Sequence, residues 1–390
     1  MSWSITRAVL VKEVVDGTRD RRALLSALIF PLSSPIMIAV MMNFLADPTD
    51  LTGKIDVPVI GAEHAPMIIA AFEDNGMNVV DAPKNPKEAV RLGEEEVVIS
   101  IPKNFNERFE QSKPVYIEVI LDESRVVSQK RVARIQSQIQ RLSMEIGMKR
   151  LMARGVDPSV AHPIMVSPVN MATPRTKGAN LLEMVGMFSV MAAFLCNMYV
   201  AIDATAGERE RGSLEPLLLN PASRWGLVSG KWLATIAFGI TGEILMLSCT
   251  AIAMQQIPFE GLGMRLEFGA MEAVQIFLYM VPLIVMAGAG QLLLAAYAKS
   301  FKEAQSYLST ALFLPTLPGL ILMINPMQPE MWMATVPALS HQLLCSRILR
   351  GDEISLEFVS ISVISTLCFA ALFLYITKRL FDSESFFFRN

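Results

Sequence analysis

AVQIFLYMVPLIVMAGAGQLLLAAYA, residues 273–298, runs for 26 positions without an Asp, Glu, Lys or Arg. A helix rises 1.5 Å per residue, so about 20 apolar residues cross a hydrocarbon core roughly 30 Å thick. Charge-free runs of the same kind recur at 23–46, 184–202, 304–329 and 358–377. A sixth stretch, 227–254, carries Glu243 near its middle. The chain therefore reads as a mainly α, polytopic membrane protein with six transmembrane helices, at 23–46, 180–203, 227–254, 272–298, 304–325 and 357–377. A secretory signal peptide is a poor reading of the first run, which is too long and is followed by Asp-Pro-Thr-Asp.

Composition points the same way. Only 18% of the 390 residues are charged, against about 25% in a soluble domain. The charge is also uneven: 35 of the 132 residues at 47–178 are charged, but only 36 of the other 258. This excludes a soluble enzyme and a disordered chain. A net charge of −3 without a basic domain excludes a nucleic-acid binder. Cys196, Cys249, Cys345 and Cys368 have no disulfide-framework spacing.

Six spans put both termini on one side, and the basic residues choose it. With the termini inside, 14 Lys and Arg lie in inner segments, from Arg7 to Arg389, against Arg265, Arg347 and Arg350 outside. The positive-inside bias thus places residues 1–22 and 378–390 in the cytoplasm and the long 47–178 segment outside. Residues 1–22 read as an amphipathic helix on the inner membrane face, through Ile5, Ala8, Val9 and Lys12, or as a plain extension of span 1.

The 47–178 segment alternates strand-like and helix-like pieces up to residue 121, as a small α/β extracytoplasmic domain would. A long helix at about 124–154 follows. Its apolar positions Val132, Ile135, Ile139, Leu142 and Ile146 step by three and four, a seam that packs on the sheet or on a partner's copy. Gly155 and Pro158 end it. Glu94, Glu95 and Glu96 are consecutive and cannot converge on one ion. His64 and His162 lack companions at ligand spacing. The chain shows no metal site and no catalytic set; Ser/His, Asp/Asp and His-Glu-x-x-His constellations of an intramembrane protease are missing from the span sequences.

The loop at 204–226 is the most informative segment: Ala204-Thr-Ala-Gly-Glu208-Arg209-Glu210-Arg211-Gly212-Ser213-Leu214-Glu215-Pro216-Leu217-Leu218, then Pro221, Arg224 and Gly230-Lys231. Ser213 can cap a short helix, Glu215 suits its first turn and Pro216 is tolerated there. Leu214, Leu217 and Leu218 share a face, which either docks into a partner's groove or rests on the lipid interface.

This run resembles the hallmark loop of ABC-2 type exporter permeases, and the resemblance extends over nearly the whole chain. It implies that Glu208, Arg209, Glu210, Arg211, Gly212, Leu214, Glu215, Leu217, Leu218 and Arg224 couple to a separate ABC ATPase subunit present in two copies. It also implies a second permease copy, the same chain or a close paralogue, in a bacterial inner membrane. The outer insertion and the tail from Lys378 to Arg389 look most like the NatB-like, sodium-efflux branch; Pro216 and the Ser385–Phe388 ending depart from its pattern. No cofactor is expected on this chain, since ATP and Mg would belong to the ATPase. The nearest approach to a P-loop, Gly226-Leu-Val-Ser-Gly230-Lys231-Trp232, is one residue short and ends in Trp. The chain is thus not expected to be an enzyme by itself.

Inside the spans, Glu243 and Asn197 are candidates for a translocation path. A carboxylate at mid-membrane costs about 2.5–3.5 kcal/mol on insertion scales and normally faces the bundle interior; a packing residue bonded to Ser248 or Asn197 is the alternative. Pro315, Pro318 and Gly319 kink or break span 5. Residues 331–350, with His341, read as an outer re-entrant or interfacial segment. The expected activity is ATP-driven export, of sodium or of a peptide, lipid or hydrophobic drug. A non-transporting, mechanotransmitting membrane receptor would keep the same loop.

Overall fold

The structure, a computed structural model, describes residues 3–45, 55–92, 94–122, 126–160, 174–219, 221–255, 268–324 and 327–382. His162 and the tail from 383 lie outside them. The chain divides into two compact units, Asp47–Asn170 and Met1–Ala46 with Met171–Asn390.

The second of these begins with α1 (Trp3–Arg19) and α2 (Arg21–Leu45). α1 and α2 meet at Asp20, whose carboxylate accepts from the Tyr199 hydroxyl at 2.8 Å; the Asp20 N–H bonds the Asp16 carbonyl and the Leu24 N–H bonds the Asp20 carbonyl, both at 3.0 Å. Its buried stripe is Thr6, Val9, Glu13 and Gly17. That helical face includes Val9, as the sequence suggested, but it carries the Glu13 carboxylate and leaves Ile5 half-buried and Ala8 exposed. Within α2, Pro31 and Pro35 each remove one helical hydrogen bond.

The Asp47–Asn170 unit is an α/β layer pair. It runs β1 (Ile55–Ile60), α3 (Pro66–Asp74), β2 (Met77–Asp81), α4 (Pro86–Leu92), β3 (Val97–Ser100), α5 (Phe105–Glu110), β4 (Glu118–Leu121) and α6 (Val126–Ala153). The sheet order is β2-β1-β3-β4, with β1 parallel to β2 and β3, and β4 antiparallel to β3. Val57, Phe72, Val97 and Ile99 form its core, and Val132 and Ile135 of α6 enter the same cluster with Ile139 and Leu142 at its edge. The α6 seam therefore packs within its own unit. Arg150 fixes the far end of α6, with its guanidinium 4.3 Å over the Phe109 ring and Nη2 donating to the Phe109 carbonyl. Gly155, at φ 71°, then takes the left-handed conformation that a side chain resists.

After residue 173 the chain is almost wholly helical: α7 (Pro174–Ile202), α8 (Glu208–Glu210), α9 (Leu214–Leu219), α10 (Arg224–Met254), α11 (Ala270–Tyr297), α12 (Phe301–Ala311), α13 (Phe313–Ile324), α14 (Pro337–Arg350) and α15 (Leu356–Asp382). Among the described residues, four helices are long and apolar enough to cross a membrane: Leu182–Glu210, Arg224–Met254, Ala270–Tyr297 and Leu356–Asp382. The expected fifth span is two short helices, α12 and α13, interrupted at Leu312. Pro315 explains the position: it offers no N–H to the Ala311 carbonyl and its ring clashes there, so a new helix must start just before it. The 331–350 segment is a 3₁₀ turn (Met331–Thr335) followed by α14.

The core of this unit joins α7, α10, α11 and α14 through residues such as Val185, Phe188, Cys196, Met246, Ile284 and Cys345. Small residues set the helix separations, as is usual where lipid gives no hydrophobic drive between helices. A β-carbon on Gly242 would lie 2.4 Å from the Cys196 sulfur, so α7 and α10 meet there at backbone distance.

Candidate functional site

The loop implicated by the sequence is a continuation of α7. Asp203–Gly207 form one wide π turn, and α8 follows without a break. π turns are rare and concentrate at functional positions. Arg211 folds back over the turn and donates from Nη1 to Asp203 Oδ1 at 2.7 Å. Gly212, at φ 69°, ends the helix. The Gly212 N–H bonds the Arg209 carbonyl and the Ser213 N–H bonds the Glu208 carbonyl, both at 2.9 Å. This is a Schellman closure, the reason a glycine is needed here. The Ser213 hydroxyl donates back to the Glu208 carbonyl at 3.1 Å.

Glu208 is buried, at 3% exposure, and is held by ammonium groups from two other elements. Lys231 Nζ on α10 lies 2.6 Å from Glu208 Oε2 and 2.6 Å from Glu13 Oε1 on α1. Lys12 Nζ pairs with Glu208 Oε1 and lies 3.1 Å from Glu13 Oε1. Glu13 and Lys231 are themselves 4% and 1% exposed. Glu13, Glu208 and Lys231 are thus held out of water, while the half-exposed Lys12, also 3.6 Å from Asp16, closes the set from the solvent side; together they tie α1, the loop and α10. Burial alone would lower the Lys12 pKa; the Glu208 and Glu13 carboxylates outweigh it and hold the ammonium above the ordinary lysine range. Isolated buried charges are costly, whereas a closed, hydrogen-bonded set of zero net charge is tolerated, and losing one member is not.

Glu13, Lys12 and Lys231 are the site residues that the sequence did not single out as a group. The signal was Gly230-Lys231. A β-carbon on Gly230 would sit 2.6 Å from Val9 Cβ, and only glycine lets α1 approach closely enough for Lys231 to reach Glu13. The same segment is helical from Arg224, capped by the Ser223 hydroxyl accepting from Gly226 N at 3.0 Å. It forms no phosphate-cradling loop.

Arg209 and the exposed Glu210 also bond to the rest of the chain. Arg209 Nη1 donates to the Ala298 carbonyl at 2.7 Å, and Glu210 Oε2 accepts from the Phe301 N–H at 2.8 Å. Both bind the loop to the joint between α11 and α12. Leu214, at 3% exposure, packs with Val9, Leu227, Val228, Ala296 and Phe381, and Leu217 lies at the edge of that cluster. Leu214 and Leu217 are therefore covered by the chain itself. Gly212, Ser213 and Pro216 are exposed, and Arg224 is half-buried. The side chains of Glu215 and Leu218 lie outside the described residues.

Asn197 and Glu243 are both fully buried among the spans. Neither the Glu243 oxygens nor the Asn197 amide atoms have a hydrogen-bond partner, so the pairing of Glu243 with Ser248 or Asn197 is not formed. Glu243 lies within electrostatic reach of Ser189, Cys196 and Cys345, on the inner side of the bundle as its cost in lipid requires. Among the described residues no three His, Cys, Asp or Glu side chains cluster as metal ligands would.

The chain is 25% identical over 348 residues to the ABC transporter permease protein NatB of Bacillus subtilis (strain 168), covering 87% of this chain and 88% of that protein. The model of the ABC-2 family transporter proteins matches residues 7–382, from α1 through the loop cluster to the last helix. With its apolar helices bound to a buried, loop-anchored ion cluster, the chain belongs to the ABC-2 family of ABC transporter permeases.

Proposed function

We propose that this permease exports a small cation, sodium first, driven by two copies of a separate ATPase subunit that bind its loop at 204–226. The single observation that carries the coupling role is the cluster of Lys12, Glu13, Glu208 and Lys231. A displacement of the loop is transmitted to α10 and α1, because separating the buried Glu208 and Glu13 from the buried Lys231 is costly. Glu210, Arg211, Gly212, Ser213 and Pro216 form the exposed edge that an ATPase would contact; Glu208, Arg209 and Leu214 act behind it as transmitters.

In this reading α2, α7, α10, α11, the broken pair α12–α13 from residue 304 onward, and α15 are six spans of a bacterial inner-membrane protein. Both termini are cytoplasmic, the 47–178 domain is outside and a second permease copy completes the path. ATP and Mg stay on the ATPase. Sodium as cargo rests on the resemblance to the sodium-efflux branch and on the unpartnered Glu243.

A second reading is favoured by the Asp47–Asn170 unit, which has its own sheet and core and is large for an ion exporter. A peptide, lipid or hydrophobic drug would be the cargo, or the unit would be the sensing part of a receptor. The deciding experiment is ATPase activity of the reconstituted permease–ATPase complex, titrated with NaCl against KCl at constant ionic strength. Sodium-selective stimulation supports the cation reading, and an equal response to both salts overturns it.

A further inference from the structure

A cavity of about 230 Å³ lies apart from the loop cluster, walled by Glu183 of α7, Gln342, Arg347 and Arg350 of α14, Asp352 just beyond, and the apolar Leu322 of α13. Its construction follows from helix geometry. Gln342, Ser346 and Arg350 step by four along α14 and so share one face. All three meet Glu183: Gln342 Nε2 donates to its backbone carbonyl at 3.4 Å, Ser346 Oγ donates to Oε1 at 3.1 Å, and the Arg350 guanidinium pairs with the same Oε1. Gly186 permits the approach, since a β-carbon there would lie 3.2 Å from Gln342 Nε2.

These contacts leave two acceptors unused. Glu183 Oε2 takes none of them. The side-chain carbonyl of Gln342, in a residue only 4% exposed, has no hydrogen-bond partner. An acceptor buried in this way is unfavourable until a donor reaches it. Arg347 engages only Nη1, on the Glu353 carbonyl at 2.7 Å.

The charges then select the ligand. A lone cation would meet Arg347 and Arg350; a lone anion would meet Glu183 and Asp352. A molecule bearing both charges leaves the wall balanced. The deepest orphan is an acceptor, so the ligand's donor end belongs there. The volume lies below the 300–1,000 Å³ of drug-sized pockets, and suits a group of amino-acid size.

We propose that this cavity binds a small zwitterion with a primary ammonium and a carboxylate or phosphate. The ammonium donates to Gln342 Oε1 and Glu183 Oε2, and the anionic group meets Arg347. The inference does not depend on the sodium reading. The same chemistry occurs in the phosphoethanolamine headgroup of a lipid and in free amino acids or short peptides.

The test is calorimetry on the full chain in nanodiscs free of ethanolamine lipids, with phosphoethanolamine as the probe. The expected result is saturable binding at least tenfold tighter than ethanolamine, inorganic phosphate or phosphocholine, the last lacking the N–H donors. Arg347→Gln and Gln342→Leu should each weaken it tenfold or more, whereas Gln342→Glu, which keeps the acceptor, should retain it. Thermal melts check that each variant is folded; if Gln342→Leu is not, Arg347→Gln at the more open side decides. Competition by added phosphatidylethanolamine would support the site with a lipid headgroup as its source, and undiminished, tighter binding of L-alanyl-L-alanine would support it with a free solute. No saturable binding, ethanolamine binding as tightly as phosphoethanolamine, or an unchanged affinity in folded Arg347→Gln would overturn the proposal.

Discussion

Gly230 and Val9 touch at backbone range: a β-carbon on Gly230 would fall 2.6 Å from Val9 Cβ and 2.9 Å from the Thr6 carbonyl oxygen. Gly230→Ala must push α1 away from α10 and lengthen the reach of Lys231 to Glu13. Overpacking of this kind costs about 1–3 kcal/mol. The expected outcome is a lower melting temperature together with reduced permease-stimulated ATPase turnover. An unchanged value of both would show that the helices separate without consequence.

Lys231→Met removes the ammonium shared by Glu13 and Glu208. Breaking a buried charge set by removing one partner costs about 3–5 kcal/mol, and the variant should lose yield and thermal stability. Combining it with Glu208→Gln should restore part of the loss, with a coupling of about 0.5–3 kcal/mol in the double-mutant cycle. Additive losses would mean that the two residues do not act on each other.

Arg211 behaves differently. Its pair with Asp203 is 55% and 25% exposed, and exposed pairs contribute about 0.2–1 kcal/mol. Arg211→Ala should therefore melt nearly as the parent does while stimulated ATPase turnover falls severalfold. Glu215→Ala tests the same edge of the loop. Full turnover in both variants would remove the loop from the coupling path.

The pH response follows from two groups. The Lys12 pKa is raised in the fold, so its contribution is complete below its ordinary value of 10.5 and is lost only as pH rises through the higher folded value. The Glu303 carboxyl is lowered from 4.5, by the Tyr307 hydroxyl and the Lys299 N–H that donate to it. Its contribution is present above 4.5 and is lost as pH falls through the lower folded value. Hydrogen exchange at the start of α12 and in α1 should thus show no titration from these two groups between about pH 5 and 10. A transition near pH 7 assigned to either residue would contradict the geometry.

Glu243→Gln keeps shape and removes charge. Since neither Glu243 oxygen has a hydrogen-bond partner, assembly should survive. If the carboxylate handles the cargo cation, sodium-stimulated turnover should drop tenfold or more. Retained sodium response would make Glu243 a packing residue.

The strands, helices and apolar runs were legible in the sequence because each is written locally, in periodicity and in Gly and Pro. The alternating pieces from Ile55 to Leu121 and the α6 seam at Val132 and Ile135 are read within a few residues. Ser223 as the cap of α10 was missed, although Ser before a helical run is a known start signal. The ion cluster was beyond local reading: Glu13 and Lys231 are 218 positions apart, and each alone resembles an ordinary solvated charge. The inward face of Leu214 and Leu217 was equally hidden, since an apolar helix face does not say which chain will cover it. Tertiary packing decided both.

Glu13, Glu208 and Lys231 share one enclosed volume, with Lys12 and Asp16 at its wet edge. A drifting sequence therefore cannot alter one of them and wait: replacing Lys231 by an acid, or Glu13 by a base, leaves a surplus with nowhere to go. Viable change must come in matched pairs drawn from the amino terminus, the loop and the start of α10. Segments far apart along the gene are in this way bound to vary as one unit.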